Sequence, residues 1–298
     1  MRQAHECSGS NRTTGPTLKS VLALTTACAV FLLVGLQNAA GGSGTVTCTD
    51  AFSGTARDVL VPADNFCSLA GATVTHNVIV GERGGVGAGG FENPARLTVR
   101  HNVIVQAGAE VDFGPLGETL IGHDLLARTN TSLHIAQTTI RHDLFAYQPG
   151  TVQSDALRVG DDLVVEGTPP GNEFVFDSLC GTAVGHDLRY TNRSVTLGVS
   201  IGDEEALDCT GDTVGHDLVV SGNSALAGFF GPSAIEVGNN TVGHNLVFTG
   251  NTAVAGGYLE VSDNTVRHDA ICAGNNPAPS GDDPTDGPNL VGHTNTCG

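Results

Sequence analysis

Tryptophan is absent from this 298-residue chain, methionine occurs once and tyrosine three times. That shortage excludes a core built around large aromatic side chains, and it excludes a sugar-binding face paved with indole rings. Lysine is as scarce, Lys19 being its one occurrence. Without residues 1–40, which carry Arg2, Arg12, Lys19 and Glu6, the rest of the chain holds 10 arginines against 30 acidic residues. A surface so acidic repels nucleic acid and anionic lipid, so neither is an expected partner. Charged residues make up 15% of the chain and hydrophobic ones 40%, a balance that points to a core of small aliphatic side chains.

What the chain has is one phrase repeated. The stretch Thr213-Val-Gly-His-Asp-Leu-Val-Val-Ser-Gly-Asn223 has relatives anchored at His76, His101, His123, His142, His186, His216, His244, His268 and His293, with Asp161 in the same slot. Successive anchors are 19 to 30 residues apart, the range in which repeats mean stacked supersecondary units. Two residues before the anchor stand Val74, Val99, Ile121, Ile140, Val159, Val184, Val214, Val242, Val266 and Val291. Two and four residues after it the chain is again mostly aliphatic, from Val78 and Val80 to Leu246 and Phe248. Period-two spacing inside short strands, renewed every turn, predicts a β-solenoid of about ten coils whose matching positions stack into interior ladders.

The slot before the anchor is Gly in six copies (Gly122, Gly160, Gly185, Gly215, Gly243 and Gly292), and the slot after it is Asn or Asp in nine. Gly followed by polar residues is turn chemistry, and Asp161 in the anchor slot argues against a buried anchor. Gly-His-Asp is therefore expected to be a corner between two strands, with His and Asx facing solvent in parallel columns. Positive φ at the Gly slot is not obligatory, because Thr75, Arg100, Arg141 and Arg267 also occupy it. A second column, Asn130, Asn223, Asn251 and Asn275, falls seven residues after the anchor, and Asp212, Asn240, Asn264 and Asn289 fall four before. Stacked Asn side chains hydrogen-bond along such columns.

Ahead of the repeat, Arg2, Arg12 and Lys19 precede an apolar run from Val21 to Leu36 and then Ala39-Ala40-Gly41. This is the pattern of a secretory signal helix over residues 1–40, with an uncleaved membrane anchor as the alternative. Residues 41–71, where the phrase is not legible, are expected to form an N-terminal cap, and 72–298 the solenoid. Glycine- and proline-rich stretches at Gly84–Gly90, Phe113–Pro115, Pro169–Gly171 and Phe229–Pro232 read as loops bulging from the coils. Six cysteines remain after the signal, and an even number in an exported chain reads as disulfides. Cys272 and Cys297 each follow their anchors by four residues, and Cys180 and Cys209 precede theirs by six and seven. Each pair thus sits one coil apart, within disulfide reach; Cys48 with Cys67 follows by elimination. The first ties down the C-terminal coil.

With these corners and ladders in hand, the chain resembles bacterial exported β-solenoids, in particular the right-handed parallel β-helix group, and the phrase Val159-Gly-Asp-Asp-Leu-Val-Val165 looks like the coil of bactofilins. The resemblance implies an all-β, single-stranded right-handed parallel β-helix. Its export signal, cysteines and long loops depart from the cytoskeletal bactofilins.

Function is less legible. A polysaccharide lyase or hydrolase is one class, and hydrolysis asks for two carboxylates set across the scissile bond; the acidic clusters are Asp203-Glu-Glu205 and Asp282-Asp283 with Asp286. The second only partly matches a calcium loop, since Pro284 and His293 fill ligand positions. The histidine column, His186, His216, His244, His268 and His293 above all, is open to three readings: plain corner residues, a proton-sensitive surface, or a Zn²⁺ or Cu²⁺ site between coils. No residue is assigned a catalytic or cofactor-binding role. The class favoured is a secreted or cell-surface structural or interaction protein, a rod about 43 Å long from nine steps of about 4.8 Å. Its expected partners are cell-wall or extracellular polysaccharide or other surface proteins, with membrane contact only through an uncleaved N-terminal segment.

Overall fold

A computed structural model describes residues 44–89, 95–171, 175–202, 209–228, 231–280 and 287–298. The expected signal helix lies outside them, and no helix among the described residues is long and apolar enough to cross a membrane. Three parallel sheets run the length of the repeat. Sheet A has eleven strands, from Thr45–Thr47 to Ala270–Ala273; sheet B has nine, from Phe66–Ser68 to Tyr258–Ser262; sheet C has eleven, from Thr55–Ala56 to Leu290–Val291. Strands next to each other in a sheet are one coil apart in sequence, as in a parallel β-helix. Each coil passes along sheet C, round the Gly-His-Asx corner, along sheet A, then through sheet B.

The ladders follow from alternation. In sheet C, Val184, Val214, Val242, Val266 and Val291 pair in file, all but the last buried. In sheet A, Leu163, Leu188, Leu218 and Leu246 pair likewise, each at most 1% exposed. A β-branched or leucine side chain two residues from the next puts both on the inner face of a strand. Repeating that choice each coil gives a continuous aliphatic column, which is why the core needs so few aromatic rings. The polar ladders run beside it. The Asn251 Oδ1 accepts the Asn223 amide at 3.0 Å and its Nδ2 at 2.9 Å, and Asn264 serves Asn240 in the same way. Asn130 stands apart from this file: it is exposed, with φ 59°, in a turn of a shorter coil.

The solenoid begins earlier than the repeat phrase suggests. Thr55–Ala56 pairs with Thr73–Val74, and Asp58–Val61 with the strand Val78–Val80, so residues 44–71 of the expected cap already contribute to all three sheets. An eleventh corner sits at Arg57-Asp58, one residue shorter than the others and with Arg in the His slot, so the phrase is disguised. Gly84–Gly90, expected as a loop, instead holds the sheet B strand Gly85–Ala88. Its glycines serve close packing, because a Cβ on Gly85 or Gly87 would lie 2.7 or 2.8 Å from the Phe66 ring. Disulfides join Cys48–Cys67, Cys180–Cys209 and Cys272–Cys297 with Cα separations of 5.7, 5.2 and 4.9 Å. The first and last fasten the terminal coils, which have a neighbour on one side only.

At the corner the six glycines are needed for space. None has positive φ, yet a Cβ on Gly185 would lie 1.9 Å from the Gly160 carbonyl oxygen, and one on Gly243 2.1 Å from that of Gly215. Replacing Gly243 with Ala is therefore expected to cost about 1–3 kcal/mol, the usual penalty for forcing atoms into a filled site. A urea midpoint matching wild type would contradict this.

Candidate functional site

The corner is held by main chain first. The amide of each anchor donates to the anchor carbonyl one coil earlier, as in His216 to His186 (2.9 Å), His244 to His216 (2.9 Å) and His268 to His244 (3.0 Å). The Asx that follows adds a second ladder. Its Oδ1 accepts the amide of the equivalent residue in the next coil: Asp162 from Asp187, Asp187 from Asp217, Asp217 from Asn245, and Asn245 from Asp269, at 3.0 to 3.3 Å. Asp and Asn both carry that oxygen, which explains why the column tolerates either.

With the backbone fixed, the imidazoles line up one above another, some face to face and others tilted. Ring centroids are 4.9 Å apart for His186–His216, 4.6 Å for His216–His244, 4.9 Å for His244–His268 and 4.0 Å for His268–His293. A lower run, His76, His101, His123 and His142, continues at 4.9, 5.8 and 4.2 Å, its first pair tilted and the other two stacked. Asp161 separates the two runs, with an oxygen 3.4 Å from His142 Nδ1. The expected solvent-facing histidine column is thus present, its rings roughly half exposed, whereas the Asx column expected to face solvent beside it is more shielded and Asp187 is buried.

Carboxylates sit among the ring nitrogens. His216 Nδ1 is 3.0 Å from Asp187 Oδ1 and 3.4 Å from Asp217 Oδ2, and His244 Nδ1 is 2.9 Å from Asp217 Oδ1. The hydrogen bond to Asp162 and then the charge of Asp187 raise the His186 pKa above the ordinary histidine value. Burial works against ionisation of Asp187, but bonds from Arg189, the Asp217 amide and His216 outweigh it and hold that carboxyl below its usual range. Among the described residues four groups, His123/Asp124/His142, His186/Asp187/His216, His216/Asp217/His244 and His268/Asp269/His293, each bring three ligand-type atoms within 4.8 Å of one another. The acidic clusters at 203–205 and 282–286 lie outside the described residues.

A feature passed over in the sequence lies three residues after the anchor. Leu60, Ile79, Ile104, Leu126, Phe145, Val164, Arg189, Val219, Val247 and Ile271 pair in file on the outer side of sheet A. Nine of these ten are apolar, none is buried, and Leu60, Phe145 and Ile271 are 38%, 39% and 37% exposed. The signal was there: position plus three is aliphatic in coil after coil, although a half-buried strand would be polar on its outer side. The histidine column and this stripe are neighbours along every coil. Elsewhere, a groove of about 300 Å³ on sheet B is lined by Asp112, His134, Gln153 and Asp155, with Asp112, His134 and Gln153 at matching register in three consecutive coils. No known protein family, curated protein or solved structure matches this chain.

Proposed function

We propose that this protein is an exported structural or interaction module, a non-catalytic rod that engages a surface through sheet A. The observation that carries this reading is the outward aliphatic stripe running alongside the histidine column. Monomeric soluble proteins rarely leave a long contiguous apolar patch bare, and such patches mark contact surfaces. The three disulfides support an oxidising, extracellular setting. The bactofilin-like coil phrase is consistent with a scaffold, since identical residues recur at fixed spacing along it.

Retention of the purified protein on isolated cell envelopes tests this reading. Val219→Glu with Val247→Glu puts two charges on the stripe while leaving the interior ladders intact, and is expected to lower retention about tenfold or more, as loss of a central contact does. Unchanged retention would remove the stripe from the account. A second reading, polysaccharide binding or cleavage, is favoured by the sheet B groove, where two carboxylates and His134 line one cleft. Incubation with cell-wall polysaccharide followed by product analysis separates the two: release of unsaturated sugars or new reducing ends, lost in Asp112→Asn, would replace the first reading by the second.

A further inference from the structure

We propose that the corner column is a divalent transition-metal site, with Zn²⁺ or Cu²⁺ held at three places, each by two successive histidines and the aspartate between them. The inference concerns the chemistry of the column itself and stands whether or not the apolar stripe docks a partner.

The donors suit such an ion. Imidazole nitrogen and carboxylate oxygen are ligands for Zn²⁺ and Cu²⁺, bound at about 2.0–2.2 Å, so the donors of one ion lie about 3–4 Å apart. In the triad of His216, Asp217 and His244, the carboxylate already sits 3.4 and 2.9 Å from the two Nδ1 atoms, and the rings are 13° from parallel. An ion placed among these atoms replaces the Nδ1 protons and needs only small side-chain rotations. The backbone does not have to move, because the Asn245 amide fixes one carboxylate oxygen and amide-to-carbonyl bonds fix each corner.

The triad of His123, Asp124 and His142 repeats this arrangement. His123 Nδ1 is shielded from solvent and lies 2.9 Å from Asp124 Oδ2, with the His142 ring stacked at 4.2 Å. In the third triad His268 Nδ1 is 2.9 Å from Asp269 Oδ2, with the His293 ring centroid 4.0 Å from that of His268 and tilted by 59°. Three protein ligands leave an open position for water or a partner's side chain. The chain's formal charge of −18 raises the local concentration of cations.

The same geometry says where ions do not bind. Asp187 lies between His186 and His216, but it is already neutralised by Arg189 at 2.6 Å, and that triad shares His216 with the one above. The pairs His76–His101 and His244–His268 lie just as close, with centroids 4.9 Å apart, around Asn77 and Asn245. An amide there supplies the backbone acceptor and no negative charge.

Equilibrium dialysis of the purified chain against Zn²⁺ and, separately, Cu²⁺ tests the assignment. Binding at micromolar ion is expected to approach one ion for each of the three assigned triads. The variant Asp124→Asn, Asp217→Asn, Asp269→Asn keeps the Asx ladder, since Asn77, Asn102 and Asn245 fill the same role. It is expected to weaken binding about tenfold or more with an unchanged circular dichroism spectrum. His244→Gln is expected to remove the middle ion alone, and His76→Gln to remove none. The proposal is overturned by absence of binding below millimolar ion, by a triple variant that binds like wild type, or by His76→Gln losing as much as His244→Gln.

Discussion

Replacing Asp212 with Asn is expected to stabilise the solenoid at pH 7 by about 4 kcal/mol. Asp212 stands in a column that continues through Asn240, Asn264 and Asn289, and it is 1% exposed. Its Oδ1 accepts the Thr182 amide at 2.7 Å, while Oδ2 has no partner. In the next coil the atom at that place is the Asn240 Nδ2, which donates to the Ile201 carbonyl and to Asn264 Oδ1. Burial pushes the Asp212 carboxyl up from 3.8 to about 8, offset only in part by the Thr182 amide. The folded protein therefore keeps this proton across a range of pH where the unfolded chain releases it. Stability from this group is complete below about pH 4 and falls by about 1.4 kcal/mol per unit as pH rises towards about 8. Denaturant titrations at pH 5 and pH 8 should show wild type losing about 4 kcal/mol more than Asp212→Asn between the two. Parallel pH profiles for the two proteins would mean that the carboxylate finds a partner when ionised.

Asp212 also shows why the fold was more legible than its exceptions. Interior ladders declare themselves because the same aliphatic type returns at the same offset, and vertical stacking follows from that alone. The histidine column was readable on the same grounds, since one slot per coil fixes the spacing of the rings. Other features depend on side-chain direction, which offsets do not encode. Asp217 bridges two imidazoles and Asn245 does not, although both hold the same backbone position. Asn130 matches the Asn column by count and leaves it in space, because its coil closes in fewer residues. Arg57 hides a corner by replacing histidine, and the glycines of Gly85–Ala88 suggested a loop where they make room for a ring. The outer stripe was missed for a different reason: attention to buried alternation treats the intervening positions as solvent-facing, and here they are Ile, Val and Leu.

The arginine at position 193 is the largest such exception, and its removal is expected to cost about 3–5 kcal/mol. Arg193 follows His186 by seven residues and so stands in the Asn column, where its amide donates to Asn223 Oδ1 as an asparagine's would. Its side chain turns inward and is fully buried. The guanidinium binds Asp177 Oδ2 through Nε at 3.0 Å and Nη2 at 2.6 Å, and the Pro149 and Gly167 carbonyls through Nη1. Asp177 is as deeply buried, in the column that continues through Val199, Ile235 and Leu259. It also accepts from the Tyr190 hydroxyl at 2.6 Å and the Val152 amide at 2.7 Å. Arg193→Met fills much of the volume but strands a carboxylate in an aliphatic core, and an uncompensated buried charge is the costly outcome. Adding Asp177→Asn removes that charge, keeps an oxygen for the Val152 amide, and offers a donor to the Tyr190 hydroxyl oxygen. The double variant is therefore expected to recover about 2 kcal/mol or more of the loss, the remainder reflecting the two carbonyls left without their donor. Urea midpoints for the two single variants and the double variant measure that coupling directly. Additive losses would mean that the pair contributes through shape alone and that its charges are paired with something else.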